Sequence, residues 1–115
     1  MRGGNAAVRR ERWQPMITEA GVDYILQTFA ENITSVQWLA GGEWQTGSHV
    51  VSADAANNRL TATVTIDGTV KPGVTVEAVR ALNAGGEEMM RKDVSMEREA
   101  GEDMIYRMAL NLTYS

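Results

Sequence analysis

The sequence contains no cysteine and a single histidine. Without cysteine there is no disulfide framework, no thiolate nucleophile and no Cys-type zinc site. One histidine, His49, cannot build a His-based metal cluster, and no Asp, Glu or Ser stands at a fixed spacing that would mark a nucleophile and its base. Proline occurs only at positions 15 and 72. Apolar runs are short, and none approaches the ~18 residues that span a bilayer. The first segment, MRGGNAAVRRERWQP, is basic, but no apolar stretch of signal-peptide length follows it, so a cytoplasmic origin is the expectation. Phosphate-cradling motifs are missing too. The pairs Gly41-Gly42 and Gly85-Gly86 fit neither GxGxxG nor GxxxxGK[ST], and neither opens a predicted helix.

What is present suits one globular domain. The chain has 115 residues, 43% of them hydrophobic and 23% charged, enough for a single core without metal or disulfide support. The net charge of −4 is divided unevenly: residues 1–15 carry a balance of +3 and residues 16–115 a balance of −7. An acidic body is a poor nucleic-acid binder, because phosphate neutralisation needs clustered Lys and Arg. The basic arm of residues 1–15 is expected to be a flexible terminus, with residues 16–115 forming the domain.

Thr18 is placed to cap a helix, with Glu19 in its first turn, where a carboxylate favours the exposed amides. Val22, Ile25, Leu26 and Phe29 then follow the i, i+3, i+4, i+7 spacing of a buried helical stripe, which Ala30 and Ile33 extend. After it the period drops to two. Residues 33–40 place Val36, Trp38 and Ala40 on one face and stop at Gly41-Gly42. Glu43–Gln45 and His49–Ser52 are short strand-like pieces around Thr46-Gly47-Ser48, and Asp54–Asn58 reads as a turn. Arg59–Ile66 alternates cleanly, with Leu60, Ala62, Val64 and Ile66 inward. That pattern of one core face and one solvated face belongs to antiparallel sheets.

Asp67-Gly68 and Pro72-Gly73 mark turns. In Val74–Leu82 the inward set Val74, Val76, Ala78 is broken by Arg80, which predicts either burial on both faces or a register-shifting bulge. A hairpin at residues 83–86 leads to Glu87–Met96, and the charged stretch 97–103 is expected to be a surface loop. Met104 to Tyr114 alternates again, and its regularity predicts a central or nearly central strand. The expected architecture is α+β but mainly β: one N-terminal helix and six or seven antiparallel strands in a sandwich-like or curled sheet.

Chemistry-bearing patterns are sparse. Glu97, Glu99, Glu102 and Asp103 do not match the calcium-loop spacing. Asp67, Glu87, Glu88 and Asp93 show no sign of a shared pocket. No catalytic, metal or cofactor-binding residue is therefore nominated, and an enzyme is the least expected class. The candidate interface residues are Trp13 in the arm, Trp44 in a turn-rich stretch, and the adjacent pair Met89 and Met90, which must point to opposite faces of a regular strand.

The order of elements resembles small bacteriophage tail and tail-fibre-associated proteins. ITEAGVDYIL matches their T-x-A-G helix start, and ITSVQWLAGG stands where they have a strand ending A-L-G-x-G. ANNRLTATVTIDGTV, VTVEAVRALNAGGEEMMRKDVS and IYRMALNLTYS are similar to their middle strand, hairpin and closing strand. The resemblance spans residues 17–115. It implies a non-enzymatic tail-associated structural protein of a phage or prophage that assembles with itself and with other virion components. Its place would be the bacterial cytoplasm during assembly and then the virion, without nucleic-acid or membrane partners. Two other readings stay open. One is a small glycan- or ligand-binding β-sandwich module with Trp44 as stacking platform and residues 43–48 as binding loop. The other is an accessory inhibitor made by a mobile element.

Overall fold

In a computed structural model of the protein, the described residues are 17–112. Trp13, the arm of residues 1–15 and Tyr114 lie outside them.

Helix α1 spans Glu19–Asn32, and the Thr18 hydroxyl caps it by accepting from the Gly21 amide at 3.2 Å. Its buried line differs from the expected stripe in one place. Val22 and Leu26 are buried, Phe29 and Ala30 half-buried and Ile33 buried just past the helix end, whereas Ile25 is 41% exposed. At about 100° per residue, Val22, Leu26, Phe29, Ala30 and Ile33 form a compact arc, and Ile25 falls about 85° from its centre. Its i+3 spacing from Val22 put it on the rim of the stripe.

Seven strands follow: β1 Ser35–Ala40, β2 Glu43–Gly47, β3 His49–Asp54, β4 Arg59–Ile66, β5 Val76–Leu82, β6 Glu88–Met96 and β7 Met104–Asn111. They form a four-stranded sheet in the order β2-β1-β5-β6 and a three-stranded sheet in the order β3-β4-β7, antiparallel throughout. The expected mainly-β, α+β architecture is what the chain adopts. The position expected for the last strand is not, because β7 is an edge strand paired only to β4 among the described residues. Its alternation reports one buried face, and that face is equally available at the rim of a sheet.

The core lies between the sheets. Val36, Trp38, Ala40, Val76, Val79 and Ala81 come from one, and Leu60, Ala62, Val64, Ile66 and Met108 from the other. Val22, Leu26 and Ile33 join the same cluster, and α1 packs chiefly on β3 and the short 3-10 turn Ala55–Asn57. Each fully buried Val, Leu or Ile contributes roughly 1.5–3 kcal/mol relative to exposure, so this cluster is the main stabilising feature.

The irregularity in β5 combines both expectations. Ala40 pairs with Val76 and Leu39 with Ala78, so Glu77 is the extra residue of a bulge, and the register against β6 shifts there too. The bulge moves the inward set from Val76 to Val79 and Ala81. Ala78 and Leu82, on the opposite face, are nonetheless buried at 1% and 8% exposure.

Candidate functional site

Three places on the domain have the shape or chemistry to meet another molecule. The first is the outer face of the four-stranded sheet. The Gly41-Gly42 hairpin sets Trp44 opposite Leu39, and the register places Gln37 opposite Arg80 and Arg80 opposite Arg91 on that same side. The Arg80 guanidinium carbon lies 3.9 Å from the centre of the Trp44 ring, and that of Arg91 lies 5.3 Å from it. Arg80 also donates two hydrogen bonds to Gln37 Oε1, at 3.0 and 2.8 Å, and one to Glu88 at 3.4 Å. Arg91 donates to Asp93 at 2.9 Å, and this bond, with the carboxylate charges of Asp93 and Glu88, raises the Arg91 pKa above its ordinary value. The indole is thus half-buried and overlaid by guanidinium, an attraction of about 0.5–1 kcal/mol at such a surface. This is a self-satisfied network in which an aromatic face is already occupied.

Met89 and Met90 sit on the same sheet at its β6 edge. Both are half-buried and both pack against the core cluster. The rule that neighbours in a strand point to opposite faces fails here, because the register slips between Ala81 and Leu82 and leaves Met89 unpaired. His49 is half-buried on the core-facing side of β3, opposite Val64.

The second place is a cleft of about 330 Å³ at one end of the sandwich, between Gln45–Ser48, Thr65, and the carboxylates Asp67 and Asp103. Here the chain passes from one sheet to the other. Ser48 accepts from the Thr65 amide at 2.8 Å, and a β-carbon at Gly47 would collide with the Thr65 carbonyl oxygen and the Val64 side chain. Asp67 accepts from the Thr69 amide and hydroxyl at 2.8 and 2.7 Å, which holds its carboxyl below the usual carboxylate range. Asp103 accepts from the Gly68 amide at 2.8 Å, and no β-carbon would fit at Gly68 beside the Glu102 backbone.

Beside the cleft lies the residue that sequence reasoning missed. Arg98, inside the stretch expected to be a surface loop, is only 8% exposed. Its guanidinium donates to the carbonyls of Val74 at 2.8 Å, Asp67 at 3.2 Å and Lys71, and rests 4.7 Å from the centre of the Trp38 ring. It pins the loop between β4 and β5 to the sandwich end. Its neighbours Glu97 and Glu99 are exposed as a surface loop requires, so nothing in the local pattern separates Arg98 from them.

The third place is the set of sheet edges. β2 is five residues long, and Lys71 reaches its Glu43 in an ion pair. β3 is backed by α1. β6 carries two register shifts and the run Arg91-Lys92-Asp93, with Lys92 opposite the core residue Val79. Bulges and charges turned toward the core side are how proteins close an edge. β7 has none of these. It runs in unbroken register with β4, from Arg59 opposite Asn111 to Ile66 opposite Met104. Met104, Tyr106 and Leu110 on its core side are half-buried, and Ile105 on its outer side is 73% exposed.

Set against models of known protein families, curated proteins and solved structures, the chain matches none. Among the described residues, no group of three or more His, Cys, Asp or Glu side chains is placed to hold a metal ion, and no helix is long and apolar enough to cross a membrane.

Proposed function

We propose that the protein is a non-enzymatic structural subunit acting through protein–protein contacts and self-assembly, of the tail-associated phage or prophage kind that its element order resembles. The observation that carries this reading is the β7 edge, which no other described strand covers. A regular, unbulged strand of eight residues with apolar side chains along it is the feature that solitary β-proteins suppress. The outer face beside it adds Val50, 68% exposed, to Ile105 across a row of threonines, Thr61, Thr63 and Thr65. Light scattering at micromolar concentration tests the reading, with a defined oligomer as the expected result. A strict monomer that also fails to enter particles when produced with the structural genes adjoining its own would defeat it.

The cleft supports a second reading, a small-ligand module. Gln45 to Ser48, part of the segment expected to bind, does line it, with hydroxyls and carboxylates suited to a polyol or sugar. Trp44 takes no part, since it faces the other side of its strand. Calorimetric titration with mono- and oligosaccharides is the test. Heat that vanishes in Gln45→Ala, whose side chain is on the cleft side of β2, would support the module, and no heat with any sugar would remove it.

A further inference from the structure

We propose that β7 is a joining edge for a second copy of this chain. The two β7 strands would run antiparallel about a two-fold axis at Met108, so that the three-stranded sheets merge into one of six strands. The inference rests on the assembly reading and goes further by naming the partner and the register.

The register follows from the side chains. Antiparallel partners must share a face, so a two-fold axis can pass only through a residue and not between two. The two axes that best use the strand pass through Arg107 or Met108. Through Arg107, the two guanidinium groups would sit directly opposite each other, and like charges so placed are destabilising. Through Met108, Arg107 lies opposite Ala109 of the second copy, and Ile105 opposite Asn111. On the core side Tyr106 then meets Leu110 and Met104 meets Leu112, while Met108 meets its own copy. Every half-buried apolar group on the core side of β7 therefore gains an apolar neighbour, and the two core rows become continuous. The other edges lack this self-complementarity. In β6, Arg91, Lys92 and Asp93 interrupt the middle of the strand, and the register slips on either side of them.

A contact made by one strand from each copy falls at or below the small end of the ~1,200–2,000 Å² of specific interfaces, so the pair should dissociate on dilution. Sedimentation over a range of about 1 to 200 µM should show the mass rising from 12.6 kDa toward twice that value. Ala109 is exposed on the outer side of β7, so it can be changed without disturbing the core. Ala109→Lys sets an ammonium against Arg107 of the second copy, twice by symmetry, and should weaken the pair about tenfold. Ala109→Glu makes two opposite-charge pairs and should tighten it by a similar factor, more so at low salt. Thermal melts of both variants at low concentration report whether the single chain still folds. Amide exchange supplies the second readout, because the alternate β7 amides that point away from β4 should become protected only as concentration rises.

Three outcomes overturn the proposal. One is an oligomer indifferent to the sign of charge at position 109, which leaves the assembly reading standing and moves the interface elsewhere. Another is protection of the amides facing away from β4 at the lowest concentrations, which means that another part of the same chain covers the edge. The third is a monomer throughout. If that monomer is still built into particles, only the β7 pairing falls, and if it is not, both readings fall.

Discussion

β6 and β7 are edge strands of nine and eight residues, and they differ in the features that decide whether an edge is open. β6 slips register twice, carries three consecutive charges and belongs to a sheet whose outer face is tied together by Gln37, Arg80, Glu88, Arg91 and Trp44. β7 keeps one register along its whole length and has Arg107 as its single charge. Its sheet has little side-chain stitching on the outer face beyond a long hydrogen bond of 3.4 Å from Arg59 to Asn111. The four-stranded sheet is thus finished as a surface, whereas the three-stranded sheet ends as though another strand belonged beside it. An edge is closed by irregularity and charge, and both are costs that β7 does not carry.

The harshest way to break this comparison is to remove β7. An edge strand can be dispensable, but β7 covers one side of β4 and contributes Met108, 3% exposed, to the core. Its loss would uncover apolar groups worth several kcal/mol against a total stability of about 5–15 kcal/mol. Deleting residues 104–115 should therefore abolish the cooperative thermal transition seen by circular dichroism. A truncation that melts cooperatively would show that β7 is an addition to a complete fold.

Next in size is Arg98, which follows β6 and fastens the cleft end of the sandwich. Arg98→Met keeps the aliphatic bulk but strips three carbonyls of their donor and removes the cation from Trp38. With charged hydrogen bonds contributing about 1.5–3 kcal/mol each and not adding fully, a loss of about 3 kcal/mol is expected in urea unfolding. Arg98→Lys should recover little of it, because an ammonium lacks the planar fork that reaches three acceptors. Full recovery by lysine would mean that the charge, and not the geometry, holds the loop.

The fates of Arg98 and β7 show where the sequence was legible. Local periodicity placed β4 to the residue, the start of α1 at its Thr18 cap, and β1 with two residues too many at its start, because a two- or 3.6-residue repeat is a property of one segment facing one core. The break at Arg80 announced the β5 irregularity, although the bulge lies earlier, at Glu77. What the sequence could not display was partner order. Nothing within Met104–Asn111 says whether one neighbour or two lie beside it. Nor does a stretch of charges say which one will turn inward to meet carbonyls 24 to 31 residues away. Trp44 suffered the same way: its overlay by Arg80 depends on β5 lying two strands away in the same sheet, a distance that no window along the chain contains.

A milder pair of substitutions contrasts the outer faces directly. Arg80→Ala removes the hydrogen bonds to Gln37 and Glu88 and the stack on Trp44, and should lower stability by about 1–1.5 kcal/mol. Arg107→Ala removes an exposed side chain on the plainer face and should change stability by less than about 0.5 kcal/mol. Equal effects at the two positions, measured by urea midpoint at a concentration where the chain is monomeric, would erase the distinction between a stitched and an unstitched sheet.

The smallest effect concerns acid. Asp67 joins the end of β4 to the loop that Arg98 holds, and its folded pKa is depressed, first by the Thr69 amide and then by the Thr69 hydroxyl. A depressed carboxyl stabilises the fold when ionised. That contribution is complete above the ordinary value of 3.8 and is lost as the pH falls from there through the lower folded value. Asp54 behaves alike, its pKa lowered chiefly by the Asn57 side chain at the turn after β3. In Asp67→Asn, the fall in melting temperature below about pH 4 should be shallower than in the wild type, with the two curves parallel above it. The same experiment on Asp54→Asn should give the same sign. Both groups serve the three-stranded sheet, one at each end of its central strand, so the double substitution should flatten the acid limb by the sum of the two. Their separation along β4 leaves them no shared partner. If the acid limb is unchanged in the double variant, the hydrogen bonds to Thr69 and Asn57 are not what ties acid sensitivity to this sheet.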